Sequence, residues 1–184
     1  MTDVHDFFRG PDEDGFAPNS LVVGAGGVLH GTTLAGQKPS GGGSYGLLPG
    51  IVFRLNPPTT SGGSWTERII YTFLPGAETA GAMPNGVTLA NGHLFGTTQV
   101  GGAFNHGAVF ELSLPGLLGQ WTETVLYSFT GGNDGAAPRG RLITDATGNL
   151  YGAALQGGST ACTKGCGTVF KLSPSGGGNG TETT

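Results

Sequence analysis

Short runs of β-branched, aromatic and aliphatic residues follow one another along the whole chain, each bounded by Gly, Pro, Asn or Asp. In the last third these runs cover Thr122 to Phe129, Arg141 to Asp145, Leu150 to Leu155 and Thr168 to Leu172. The segment between the second and third runs is typical of a hairpin turn, because Gly148 and Asn149 tolerate positive φ. Since Gly interrupts nearly every window long enough for a helix, the pattern predicts an all-β chain.

The same order of runs returns about every 57 residues. A Trp-Thr-Glu start occurs at Trp65 and Trp121, and a degraded copy of the following run, Val4 to Phe8, opens the chain. Three Gly-X-Val-Phe-X-Leu segments begin at Gly50, Gly107 and Gly167. We therefore expect one repeat domain over residues 1–184, with units at about 2–64, 65–120 and 121–180, and with 181–184 starting a truncated fourth unit.

Four antiparallel strands in a repeat of this length are typical of a β-propeller blade. The predicted architecture is three four-stranded, propeller-like sheets, with a β-solenoid as the alternative. Three blades cannot close a propeller, which takes about four to eight. We expect the chain to be a fragment of a longer array, to pair with a second copy, or to join further copies into a filament.

One run of motifs resembles a known family. It comprises Gly148 to Gly152, Gly157-Gly158 and Cys166 to Leu172, and together with Tyr127-Ser128-Phe129 it is similar to the bacterial tandem β-strand repeat family called GloVer. The spacing from Asp145 to Tyr151 is also similar to NHL-type propeller repeats. The first unit departs most, since His30 stands where the other units have Phe95 and Tyr151. The resemblance implies large extracytoplasmic bacterial proteins with variable anchoring tails, and it implies no enzymatic activity.

Composition and charge restrict the classes of partner that we expect. Of 184 residues 38 are Gly and 11 are Pro, and the net charge is −4. Without a basic patch, nucleic acid is not an expected partner. No apolar run is long enough to span a membrane, so no membrane span is expected.

The two cysteines, Cys162 and Cys166, lie in one loop of the third unit. A zinc site takes about four ligands, and no second cysteine pair is present. A redox pair usually has C-X-X-C spacing, which this loop does not have. We interpret the pair as a local disulfide, which would place the protein in an oxidising compartment, secreted or at the cell surface.

Few other residues suggest chemistry. Trp65 and Trp121 open equivalent strands, where they would either stack on sugar rings or fill the blade core. Asn133 and Asp134 form an acidic turn, which is either a solvated turn or a candidate ligand-binding loop. The histidines occupy different repeat positions, so we assign no catalytic residue, no metal ligand and no cofactor.

The sequence thus favours a non-enzymatic function. We expect an extracytoplasmic structural or interaction protein that self-assembles through open blade faces, as a closed homo-oligomer or a filament. The first alternative is a carbohydrate-binding propeller module with glycans as partners. The second is a propeller hydrolase or lyase, which would need convergent polar groups that the repeats do not supply.

Overall fold

The protein is described by a computed structural model, which covers residues 3–7, 15–36, 50–73, 81–114, 120–173 and 181–183. Over these residues the chain is all-β, as the sequence predicts, with one short 3-10 turn at Ala25–Gly27 and no α-helix. The Gln37 to Pro49 segment of the first unit lies outside the described residues.

In the described residues, twelve strands form three antiparallel sheets, none of which closes into a barrel. Neighbours in each sheet are consecutive in sequence, so each sheet is a meander. The first sheet contains β1 (Phe16–Val23), β2 (Leu29–Ala35), β3 (Ile51–Asn56) and β4 (Thr66–Thr72). The second contains β5 (Ala82–Ala90), β6 (His93–Val100), β7 (Ala108–Ser113) and β8 (Thr122–Ser128). The third contains β9 (Ala136–Thr144), β10 (Leu150–Gln156), β11 (Thr168–Ser173) and β12 (Thr181–Thr183).

The sheets are offset from the sequence units by one strand. The run that follows Trp65 completes the first sheet as β4, and the run that follows Trp121 completes the second as β8. The short strand β12 pairs with β11 in the matching place. Each sheet therefore takes its fourth strand from the start of the next sequence unit.

The first strands of the sheets, β1, β5 and β9, lie side by side along one edge of the stack, because β5 contacts both β1 and β9. Each carries a proline near its start: Pro18, Pro84 and Pro138. Since these are edge strands, the absent proline N–H removes no ladder hydrogen bond. Pro138 is therefore compatible with the strand, and β9 begins at Ala136, ahead of the run from Arg141 that the sequence indicates.

The core lies between the sheets and within them. Val52 of the first sheet is fully buried in a cluster of the second sheet with Phe110, and Val109 of the second sheet is buried in a cluster of the third with Phe170. Stacking therefore buries one face of each sheet against the next, which is how propeller blades are stabilised.

A repeated aromatic pair marks each stacking layer. Phe73 and Phe129, just after β4 and β8, meet Phe110 and Phe170 of the following sheet edge-to-face with ring centroids 5.0 Å apart. At the start of the chain Phe7 takes the same position on Phe53, with a centroid distance of 4.8 Å. Such edge-to-face pairs contribute about 1 kcal/mol beyond the area that they bury.

Candidate functional site

The outward face of the third sheet is apolar and open to solvent. We call it the trailing face and define it by Ile143, Leu155 and Val169, whose exposed fractions are 66%, 54% and 75%. Val169 follows the same Gly-X pattern as Val52 and Val109, both of which are fully buried. The trailing face is thus the same surface that the first two sheets bury against their successors.

The opposite end of the stack is the leading face, on the first sheet. It is the wall of a groove of about 490 Å³, to which the N-terminal segment contributes Phe7. Leu21 in this wall is 50% exposed, whereas Val87 and Leu142, its counterparts facing Gly96 and Gly152, are buried. The rest of the apolar wall consists of Leu29, Phe53 and Leu55.

Polar contacts accompany the apolar ones at the two interfaces between neighbouring sheets, which we call the internal joints. Asn19 donates its side-chain amide to the Pro84 carbonyl at 2.7 Å, and Asn85 donates to the Pro138 carbonyl at 2.6 Å. The residue at the same place in the third sheet is Arg139, which is exposed. A hydrogen-bond donor therefore stands at this position in all three sheets.

Close backbone approach is a second repeated feature of the joints. A Cβ on Gly50 or Gly107 would clash with the ring of Pro84 or Pro138 in the following sheet. Gly167 holds this place in the third sheet, where the three atoms nearest to an added Cβ all belong to Ala154 and Leu155 of the same sheet. The trailing face thus repeats the valine, the donor and the glycine of the internal joints.

The acidic turn and the cysteine loop lie together at one rim of the third sheet. Cys162 and Cys166 form a disulfide, and Asn133 lines an open groove of about 410 Å³ with the neighbouring Lys164. Asp134 points into its own turn, where it accepts hydrogen bonds from Thr130 and Tyr127. Partial burial by itself raises the pKa of Asp134, but these hydrogen bonds outweigh it and hold the pKa below its ordinary value. The carboxylate therefore serves to fix the turn.

The two tryptophans are half-buried at successive layers and do not share one cavity. Trp65 packs on the first-sheet cluster with Phe53, and Trp121 packs on the second-sheet cluster. Trp121 also lines an outer groove of about 600 Å³ together with Arg54, Arg68 and Gln120.

His30 takes the strand position that an aromatic residue holds in the other two sheets. His30 lies in β2 between Val22 and Arg54, the register position of Phe95 and Tyr151 in their sheets. Among the described residues no three His, Cys, Asp or Glu side chains are grouped as metal ligands would be. No helix in these ranges has the length and apolar character needed to cross a bilayer.

Sequence reasoning foresaw open faces at the two ends of the stack but did not name their residues. The sequence does show that Val52, Val109 and Val169 are equivalent positions. Their order along the chain indicates that Val169 belongs to the last of the three sheets. The sequence also shows that Arg139 stands where the first two sheets have Asn19 and Asn85.

Comparison with known proteins gives one match. The family model described as the Gloeobacter/Verrucomicrobia repeat matches residues 39–184, which confirms the resemblance drawn from the third unit. The match leaves out the first 38 residues, where the repeat is most divergent. No curated protein matches the chain. No solved structure matches it either.

Proposed function

We propose that this chain, which belongs to the Gloeobacter/Verrucomicrobia repeat family, is an interaction module that self-assembles through the open faces of its sheet stack. Its working parts are the leading and trailing faces. No residue in this proposal carries out a reaction.

The observation that carries the proposal is the contrast between equivalent valines. Val52 and Val109 are fully buried, whereas Val169 is 75% exposed in the same setting. Exposed apolar patches that have a buried counterpart in the same fold mark interaction sites or aggregation hazards. A protein made of stacked sheets gains stability whenever its outer sheets acquire neighbours.

The test is the mass of the assembly in solution, measured by light scattering coupled to size exclusion at micromolar concentration. We expect a discrete species of about twice 18.5 kDa, which would be a closed ring of six sheets, or a long open polymer. A monomer that persists up to hundreds of micromolar would overturn the proposal.

The same proposal places the protein outside the cytoplasm. The Cys162–Cys166 disulfide supports this, because disulfides persist in oxidising compartments. The test is thiol alkylation of the protein trapped in its native cells, followed by mass measurement. An alkylation-resistant chain is expected, and a chain that takes up two labels would contradict the proposed location.

A second candidate function is glycan binding, favoured by the groove beside Trp121. Arg54 and Arg68 flank the tryptophan, and the buried Nε of Arg54 has no hydrogen-bond partner among the described residues. An aromatic ring beside two arginine side chains suits acidic sugars, because the ring can stack on the sugar and guanidinium groups bind carboxylate or sulfate oxygens.

This candidate is tested by titrating soluble acidic oligosaccharides into the protein and measuring the heat of binding, a readout that does not depend on the tryptophan being replaced. Binding that is lost in Trp121→Ala and retained in Trp65→Ala would support the groove. Equal responses in both variants, or none in the wild type, would exclude it.

A further inference from the structure

Among the described residues, the fourth-strand position of the third sheet is occupied over only part of its length. β8 pairs with β7 along its whole length, from Thr122 opposite Ser113 to Ser128 opposite Ala108. β12 pairs with β11 only from Thr181 opposite Ser173 to Thr183 opposite Lys171. Among the described residues, nothing pairs on that side with Thr168 to Phe170.

The N-terminal segment has the features of the other half of this strand. Phe7 meets Phe53 as Phe129 meets Phe170, edge-to-face and at a similar distance. His5 lies 3.6 Å from Glu67, and Tyr71, its counterpart one layer on, donates a hydrogen bond to Glu123. Residues 4–7 thus lie on the first sheet as the end of a fourth strand lies on the sheet that follows it.

The start of the same strand is found in β12. Thr181-Glu182-Thr183 repeats Thr122-Glu123-Thr124 in sequence and in its pairing with the third strand. Residues 4–7 correspond to Leu126 to Phe129. The two segments therefore supply the two halves of one strand, and they lie on opposite end sheets of the stack.

From these observations, and resting on the proposed function, we infer that the trailing face binds the leading face of a second copy of this chain, head to tail. Residues 4–7 of the second copy then extend β12 of the first and pair with Thr168 and Val169, as Leu126 to Phe129 pair with Ala108 and Val109. This is strand addition to an open sheet position, which provides main-chain hydrogen bonds and fixes the register.

The side chains at the new joint match those of the two internal joints. Val169 enters the groove beside Leu21 and Phe53, as Val109 enters the cluster of Leu142 and Phe170. Gly167 lies against Pro18 of the second copy, as Gly107 lies against Pro138. Arg139 replaces the asparagine donor and binds the Pro18 carbonyl of the second copy.

An aspartate introduced on the trailing face or on the leading face tests this contact between two copies. Val169→Asp and Leu21→Asp would each bury an unpaired carboxylate there, and we expect each to weaken association roughly a hundredfold. Phe104→Asp is the matched control, because Phe104 is 56% exposed in the loop between β6 and β7 and belongs to neither face. Its assembly should equal that of the wild type.

Mixing the two variants distinguishes head-to-tail from like-to-like contact. The Leu21→Asp chain keeps an intact trailing face and the Val169→Asp chain keeps an intact leading face, so their mixture should recover dimers that neither forms alone. If either face bound its own kind, one of the variants would still dimerise by itself, and the inference would be wrong.

A crosslink gives a readout that does not depend on weakened binding. Val109 and Tyr127 are register partners, so Val169→Cys on one chain and His5→Cys on another should lie opposite each other and form an intermolecular disulfide on oxidation. Phe104→Cys paired with His5→Cys should not link. Wild-type assembly without the Val169–His5 link, and without an effect of Val169→Asp, would reject this joint while leaving self-assembly intact. A monomeric wild type would remove the proposed function itself.

Discussion

At the scale of single residues, a glycine and a phenylalanine define each sheet. Gly31, Gly96 and Gly152 lie opposite Phe53, Phe110 and Phe170 on the neighbouring strand, and each ring covers its glycine. All three rings are buried. This contact explains the recurrent Leu-X-Gly and Val-Phe motifs, because no other residue leaves room for the ring.

We therefore expect Gly96→Ala to destabilise the fold. Its Cβ would lie 2.5 Å from Phe110 Cζ and 2.6 Å from the Gly86 carbonyl oxygen, so the packed ring must shift. The expected loss is about 1–3 kcal/mol in the free energy of unfolding, measured by denaturant titration. Gly132→Ala is the control, since its Cβ would meet only ordinary contacts at 3.4 Å or more. Equal stability of the two variants would contradict the packing argument.

His30 is expected to make the free energy of unfolding depend on pH. Burial lowers the pKa of this imidazole from its usual value of 6.5, and the positive charge of Arg54 lowers it further. Its Nδ1 is buried and has no hydrogen-bond partner among the described residues. The unfolded chain therefore binds more protons than the folded chain at pH values just below 6.5.

We expect the free energy of unfolding to fall as pH is lowered below about 6.5, until the folded-state pKa is passed. His30→Phe, which places at this position the residue found at Phe95, should flatten that slope. Chemical denaturation at a series of pH values measures both chains, and an unchanged slope in His30→Phe would show that another group is responsible.

At the scale of elements, the joints between sheets depend on a few buried polar groups. Asn85 in β5 is 8% exposed, donates to Pro138 across the joint and to Thr97 within its own sheet, and accepts from Gln99. Asn85 therefore supplies a side-chain donor to the buried Pro138 carbonyl at the start of β9. This network links β5 to β6 within the second sheet and to β9 of the third sheet.

Asn85→Ala should accordingly cost about 1–3 kcal/mol, because it leaves the buried Pro138 carbonyl and Gln99 amide without this partner. Asn133→Ala, at an exposed position, is the control and should change stability by less than about 0.5 kcal/mol. Hydrogen exchange adds a local readout, since the amide of Ala137 should lose protection first. Retained protection at Ala137 would mean that Asn85 does not hold the joint.

At the scale of the whole molecule, position in the stack decides what a residue does. Val109 and Val169 share their sequence setting and strand register, yet one is fully buried and the other is 75% exposed. The energetic weight of a repeat position is thus set by whether another sheet covers it, as nearest-neighbour coupling in repeat proteins requires.

In chains kept monomeric by Leu21→Asp, Val109→Ala should lower stability by roughly 1–3 kcal/mol. Val169→Ala in the same background should change it by less than about 0.5 kcal/mol. The pair is measured by thermal and denaturant unfolding. Similar losses for both would show that the trailing face is covered in the monomer, which would also remove the basis for docking there.

The sequence by itself determined the repeat, the all-β class, four strands to a sheet and the family. These follow from local chemistry: glycine and proline fix turns, and alternating apolar residues fix strands and their faces. The sequence also showed which residues are equivalent, including His30 with Phe95 and the three valines.

Only the tertiary structure decided which sheet each strand joins and which faces stay open. The fourth strand of every sheet comes from the start of the next unit, because each third strand pairs with the strand that directly follows it in the chain and not with one of its own unit. Val52, Val109 and Val169 look alike in sequence because the same local rules made them, and they differ only in what packs against them. Burial is a property of the neighbouring sheet, so the trailing face and its match to the leading face became visible only once the sheets were stacked.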